Sequence, residues 1–308
     1  MSRTVISLIF LLVLSFAGYG RVRYDTTYIQ RPPNSWVLRT RTEVGMGSIR
    51  SAFSNGENNY NLEFTGNTKL RQHIGFGYGR FILGFGINLS GKKVGWDTAI
   101  KFLGNRFGLE LAFSELNAGA GHLNLNDTNY PIPENGRFKQ MSLTMRTYTA
   151  FNGKKFSMPA VLTQKFRQKK SAGSGLFTTA LTTLWLLRKD GTDATMPLTM
   201  EHIGFAGLGG GYGYNWVPSK KWLLHLSATE NVGVPWQLFE TSSGNFDAPI
   251  KVPAFLTTGR ACVFFYPGRW YFGLSATTEY YISPAPKNSV FKTEMLDIRA
   301  LATIGVHF

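Results

Sequence analysis

His225 and Ser227 stand two apart in WLLHLSATE, a spacing that puts both side chains on one face of an extended strand. A histidine beside a serine is the minimum equipment for base-activated nucleophilic attack, in which the imidazole takes the hydroxyl proton. The rest of the strand argues for an ordinary polar pair. Trp222, Leu224, Leu226 and Ala228 take the opposite face, and no orienting acid or amide is identified nearby. Ser174 in SAGSG fails as a nucleophile elbow, because Ala172 and Leu176 stand where G-x-S-x-G needs glycine. GLGGGYGYNW lacks the Lys-Ser/Thr of a phosphate loop. His73, His122, His202, His225 and His307 show no ligand spacing with cysteine or carboxylates, so neither a metal nor another cofactor is expected.

Charge is the second anomaly. The formal net charge is +15, and residues 135–189 contain no Asp or Glu. Within that stretch KFRQKK presents Lys165, Arg167, Lys169 and Lys170. A basic surface loop drawn to anionic lipid is one account. A segment turned inward, offering these four side chains to an anionic ligand, is another. Nucleic acid fits the charge as well, but an exported protein meets little of it, so no nucleic-acid partner is expected.

Export is read from residues 1–20. MSRTVISLIFLLVLSFAGYG has a basic start, an apolar run from Val5 to Ala17 and small residues at Gly18 and Gly20, as a secretory signal peptide does. A periplasmic N-terminal arm is expected over 21–34. The lone cysteine, Cys262, excludes an internal disulfide framework, and no apolar run of ~18 residues follows the leader. Glycine is frequent at 34, aromatics reach 14%, and charged residues are 17%, below the ~25% usual in soluble domains. That profile suits an outer-membrane β-barrel.

The elements agree. Trp36, Leu38, Thr40, Thr42, Val44 and Met46 alternate with Val37, Arg39, Arg41, Glu43, Gly45 and Gly47. Ile100 and Phe102 oppose Asp97 and Lys101, Phe107 to Phe113 oppose Glu110, and Trp270 to Tyr280 oppose Ser275, Thr277 and Glu279. Ile298 to Phe308 alternate with Asp297 to His307. A period of two marks strands with one apolar and one polar face. Twelve strands are expected, at 36–49, 68–78, 81–90, 96–103, 106–115, 138–150, 172–187, 202–215, 221–231, 254–266, 269–282 and 295–308. Their links alternate between short (79–80, 104–105, 217–221, 267–268) and long, notably 116–137 and 232–253; the link 151–171 breaks the rule.

The expectation is therefore all-β, a single antiparallel transmembrane barrel over 35–308, with short periplasmic turns and long extracellular loops. It would lie in the outer membrane of a Gram-negative bacterium, both termini periplasmic. Trp36, Trp222, Trp270 and Tyr280 belong to interfacial girdles. The strand ending in Phe308 resembles the carboxy-terminal signal by which barrel-assembly machinery recognises its clients, and outer-membrane lipid and lipopolysaccharide are expected partners. Arg39, Arg41, Glu43, Asp97, Lys101, Glu110, Arg146, His225, Arg260, Glu279, Asp297 and Arg299 should face the lumen. They would form either a self-satisfied network or the wall of a pore or ligand cavity. Gly75, Gly77, Gly84 and Gly86 should face inward too, leaving room for residues 151–171.

Four stretches resemble a Bacteroidetes-type outer-membrane barrel family known as domain-of-unknown-function family 4421. They are DTTYIQRPPNSWVLRTRTE (25–43), FTGNTKLRQHIGFGYGRFILGFGINL (64–89), FSMPAVLTQKFRQKKSAGSGL (156–176) and GGGYGYNWVPSKKWLLHLS (209–227). The resemblance implies a barrel and a location and supplies no chemistry. His225-x-Ser227 looks like the arrangement in outer-membrane lipid-A deacylases and phospholipase, which act on lipid from the outer wall. A non-enzymatic barrel that binds or passes a small anionic or polar solute, or serves as a subunit of an outer-membrane complex, is the expected function. A lipid hydrolase is the alternative.

Overall fold

A computed structural model describes residues 24–31, 36–54, 58–65, 69–89, 95–133, 138–189, 198–241, 244–247, 252–284 and 292–308. The leader expected at 1–20, the start of the expected arm at 21–23 and residues 32–35 lie outside these. In chain order the strands are β1 (Ile29–Gln30), β2 (Trp36–Ser54), β3 (Asn59–Thr65), β4 (Lys69–Tyr78), β5 (Phe81–Asn88) and β6 (Trp96–Leu103). Then come β7 (Phe107–Asn117), β8 (Ala120–Leu125), β9 (Thr128–Ile132), β10 (Phe138–Ala150), β11 (Arg167–Gln168) and β12 (Ala172–Arg188). The last are β13 (Leu198–Trp216), β14 (Trp222–Thr241), β15 (Gly244–Asp247), β16 (Ala254–Phe265), β17 (Trp270–Ser283) and β18 (Lys292–His307). One short helix, α1 (Pro159–Leu162), precedes β11.

Twelve of these strands close a barrel. Their order is β2, β4, β5, β6, β7, β10, β12, β13, β14, β16, β17, β18, every neighbour antiparallel, and β18 pairs back to β2 from Lys292↔Ala52 to His307↔Val37. Closure leaves the wall no open edge, so every backbone donor and acceptor in it can be paired without water. Among the described residues no helix is long and apolar enough to cross a membrane; the crossing is made by strands.

The outer wall is apolar because alternation puts the apolar residues there. Leu226 is 69% exposed, Leu274 61%, Ile74 60% and Leu83 57%, while Arg39, Glu43 and Thr303, on the other face, are buried. A one-residue slip of β18 would turn Asp297 and Arg299 outward, so the register is fixed by the cost of charge in hydrocarbon.

The link between β7 and β10 is more ordered than a long loop. Its β8 and β9 form a hairpin turning at Asn126-Asp127, both with positive φ, as a tight two-residue turn requires. That hairpin pairs with β3, which pairs with the far end of β2. The stretch 232–253 likewise begins as a continuation of β14, to Thr241, with β15 paired to it. Both ladders continue past the apolar band because paired strands satisfy their backbone groups in either solvent.

Side chains fill both ends of the lumen. At the end bearing the long links, Phe53 stacks on Phe239 at 3.6 Å and on Tyr60 at 4.3 Å. β2 and β14 lie on different sides of the barrel, so the Phe53–Phe239 contact crosses it. At the other end residues 151–171 turn inward, and β11 pairs with β1 of the N-terminal arm. Ile29, Ala160, Val161 and Phe166 of this plug pack on Val37, Leu223 and Tyr271 of the wall.

Candidate functional site

Between the two ends lies a cavity of about 350 Å³ with a charged wall. Its geometry follows from register. Glu43 and Arg71 are cross-strand partners, and their side chains meet at 3.0 Å. His73 lies between Glu43 and Asp97, 3.4 and 3.2 Å away. Lys101 and Glu110 are partners on β6 and β7, 2.5 Å apart. Arg146 leaves its own partner Glu110 and reaches from β10 to Glu279 on β17, a strut across the lumen. Arg299 bonds Glu279 at 2.7 Å and forms an ion pair with Asp297 at 2.8 Å. Arg71 also lies 4.0 Å from Asp97, so every carboxylate lining this cavity has an arginine or lysine within 4.0 Å.

The converse does not hold. Arg41, Lys69 and Arg260 also line the cavity, and none of the three side chains makes an ion pair or hydrogen bond among the described residues. Lys101 feels Arg41 and Glu110 feels Arg260, so both arginines lie within Coulomb range of the Lys101–Glu110 pair. The chamber therefore has an uncompensated positive charge, and an unpaired cation away from bulk water favours an anionic occupant.

The plug forms the floor. Arg39, 2% exposed, donates from Nη1 to the Leu162 carbonyl at 3.0 Å and to Gln164 Oε1 at 3.4 Å. Gly77 makes space for it: a Cβ there would come within 2.7 Å of the Lys165 side chain. A Cβ at Gly75 would sit 2.8 Å from Arg39 Nε. Of the four KFRQKK cations, only Lys165 points inward; burial, with Arg39 and Arg31 nearby, pushes its ammonium down to about 8. Arg167 lies over the Tyr266 ring and donates to the Lys220 carbonyl. Lys169 donates to the Thr26 carbonyl, and Lys170 sits over Tyr28. The four do not converge.

His225 and Ser227 face the lumen, 4% and 6% exposed, as the alternation of β14 places them. The orienting amide that sequence reasoning missed is Asn215. It is the register partner of His225 across the tight link 217–221, so counting back from that turn would have found it. Asn215 Nδ2 donates to the Ser157 carbonyl and to Gln168 Oε1, both at 3.0 Å, which turns Oδ1 toward His225 Nδ1, 2.7 Å away. His225 then donates from Nδ1, leaving Nε2 to accept from Ser227 Oγ at 2.9 Å. These are the contacts of a serine–histidine–amide triad.

Around the triad, however, the polar atoms serve the plug. Gln168 Oε1 also accepts from the Ser157 N–H, its Nε2 donates to the Lys155 and Lys170 carbonyls, and Ser157 Oγ donates to Asn105. Phe156, fully buried, covers the pair: a Cβ on Gly213 would be 3.1 Å from its ring and 3.4 Å from both His225 and Ser227. A cavity of about 60 Å³ opens beside Ser227. The arrangement is a hydrogen-bonded latch between wall and plug. Among the described residues no group of three His, Cys, Asp or Glu is placed to hold a metal ion.

A family model described as "Domain of unknown function (DUF4421)" matches residues 23–308. No curated protein matches the sequence. Among solved structures, the outer membrane protease OmpT of Escherichia coli is similar at 7% identity and TM-score 0.43, covering 92% of this chain and 100% of its own. An outer membrane channel of Pseudomonas putida F1 is 11% identical, TM-score 0.36, over 92% and 100%. The toluene transporter TodX of Pseudomonas putida is 9% identical, TM-score 0.34, over 90% of each chain.

Proposed function

Since the chain belongs to the family described as domain of unknown function DUF4421, which names no activity, we propose from its own residues that it is an outer-membrane barrel binding a small anionic solute in its lumen. The carrying observation is the imbalance in the chamber: among the described residues all its carboxylates are paired, while the side chains of Arg41, Lys69 and Arg260 are not. The leader-like residues 1–20 favour export, and the short turns and both termini are assigned to the periplasm. The chamber is floored by residues 151–171 and roofed by Phe53 on Phe239, so this is a binding barrel before it is a pore.

The test is a titration of the detergent-solubilised protein with phosphate and succinate, against a neutral sugar. Saturable, salt-sensitive binding of the anions is expected, weakened at least tenfold in Arg41→Gln/Arg260→Gln and retained in Lys169→Gln/Lys170→Gln. Loss in the second variant alone would move the site to the KFRQKK cations. Absence of binding would leave a structural role in an outer-membrane assembly, whose contacts would lie on 116–137 and 232–253.

One observation favours hydrolysis as a second reading, namely the Asn215–His225–Ser227 distances. Against a lipid substrate stands the direction of Ser227, into the lumen and beneath Phe156. Labelling of the folded protein with a fluorophosphonate decides it. No adduct on Ser227 is expected; an adduct that disappears in Ser227→Ala would establish a hydrolase.

A further inference from the structure

The rim carrying the short links is cationic around its circumference. Arg80, Arg106, Lys220, Lys221 and Arg269 sit on four separate links, and Lys154 on the fifth. Asp25 is the one acidic side chain among the described residues of this end, and its carboxylate is engaged by the Thr27 N–H and hydroxyl. The opposite end differs: there Glu63 pairs with Arg50, Glu115 with Lys139 and Glu294 with Lys292.

The rim cations stand just beyond an exposed aromatic band. Tyr78 and Phe81, 55% and 56% exposed, flank Arg80. Trp216 and Trp222, 54% and 43% exposed, flank the link with Lys220 and Lys221, and Trp270 follows Arg269. Interfacial aromatics mark the edge of the hydrocarbon. Side chains one to four residues past them reach the level of the lipid phosphates, where each Lys or Arg attracts anionic lipid.

We infer that this rim binds a belt of anionic phospholipid headgroups in the leaflet on its side of the membrane. The distribution selects lipid over a soluble partner: the five cations are spread among four links around the wall. A soluble acidic partner would be served by a compact group such as Lys155, Lys169 and Lys170, which gather on the N-terminal arm at Tyr28 and the Thr26 carbonyl. The inference is independent of any lumenal ligand.

The full chain is reconstituted in nanodiscs of phosphatidylcholine with a minor fraction of phosphatidylglycerol, extracted gently, and the retained lipids are counted by native mass spectrometry. Retained phosphatidylglycerol should be enriched roughly fivefold over its share of the disc. Replacing Arg80, Arg106, Lys220, Lys221 and Arg269 by Gln should abolish the enrichment, and replacing Lys155, Lys169 and Lys170 by Gln should leave it. Circular dichroism of both variants confirms that the barrel forms. Enrichment that survives the first variant, is lost only in the second, or is absent from the parent protein overturns the proposal.

Discussion

The residue that organises the latch is Asn215, fully buried and bonded to three partners at once. Removing its amide strands His225 Nδ1 and the Ser157 carbonyl without water, and each orphaned group costs ~1–3 kcal/mol. Asn215→Ala should therefore lower stability by about 3 kcal/mol and expose residues 151–171 to protease while the strands persist; unchanged cleavage would deny the latch. Lys165 makes the matching pH prediction. Its folded value of about 8 lies below the ~10.4 of an unfolded lysine, so the unfolded chain holds the proton more tightly in that window. The cost of burying the charged form is complete below about pH 8 and fades as pH rises toward ~10.4. The unfolding midpoint should climb over that interval, and Lys165→Met should flatten the climb and raise the midpoint at pH 7.

Among the elements, the strands were the most legible part of the sequence, because a period of two survives any tertiary context in which one face meets hydrocarbon. Each of the twelve expected strands has its counterpart in the wall. The boundaries in the long links were less legible: β13 begins at Leu198 and β14 runs to Thr241, past the residues that touch lipid, where alternation no longer separates two solvents. Two substitutions test the faces. Leu274→Arg, outward and 61% exposed, should cost about 2–4 kcal/mol when measured in lipid. Gly77→Val, inward, would collide with Ile82 and Lys165, and should unseat the plug while leaving the β-sheet circular-dichroism signal.

At the scale of the whole molecule, a lumen crossed by the Arg146–Glu279 strut, floored by residues 151–171 and roofed by Phe53 on Phe239 should carry no steady current. Planar-bilayer recordings of the parent protein should be quiet, and Asn215→Ala/Gln168→Ala should flicker as the floor loosens. A steady open level in the parent would mean that the floor does not block the path.

Sequence alone determined the wall: which residues meet lipid, how many strands close on one another, and which side chains turn inward, all consequences of alternation in a chain too polar for a spanning helix. It also marked 151–171 as the link that breaks the pattern. What that link does was decided by tertiary structure, because its partners Arg39, Asn215 and Tyr28 come from separate stretches of the chain. The pairing of lumenal charges was decided there too. Arg146 lies beside Glu110 in the ladder yet bonds Glu279 across the barrel, since a short path through the lumen, invisible to any local pattern, brings the two together.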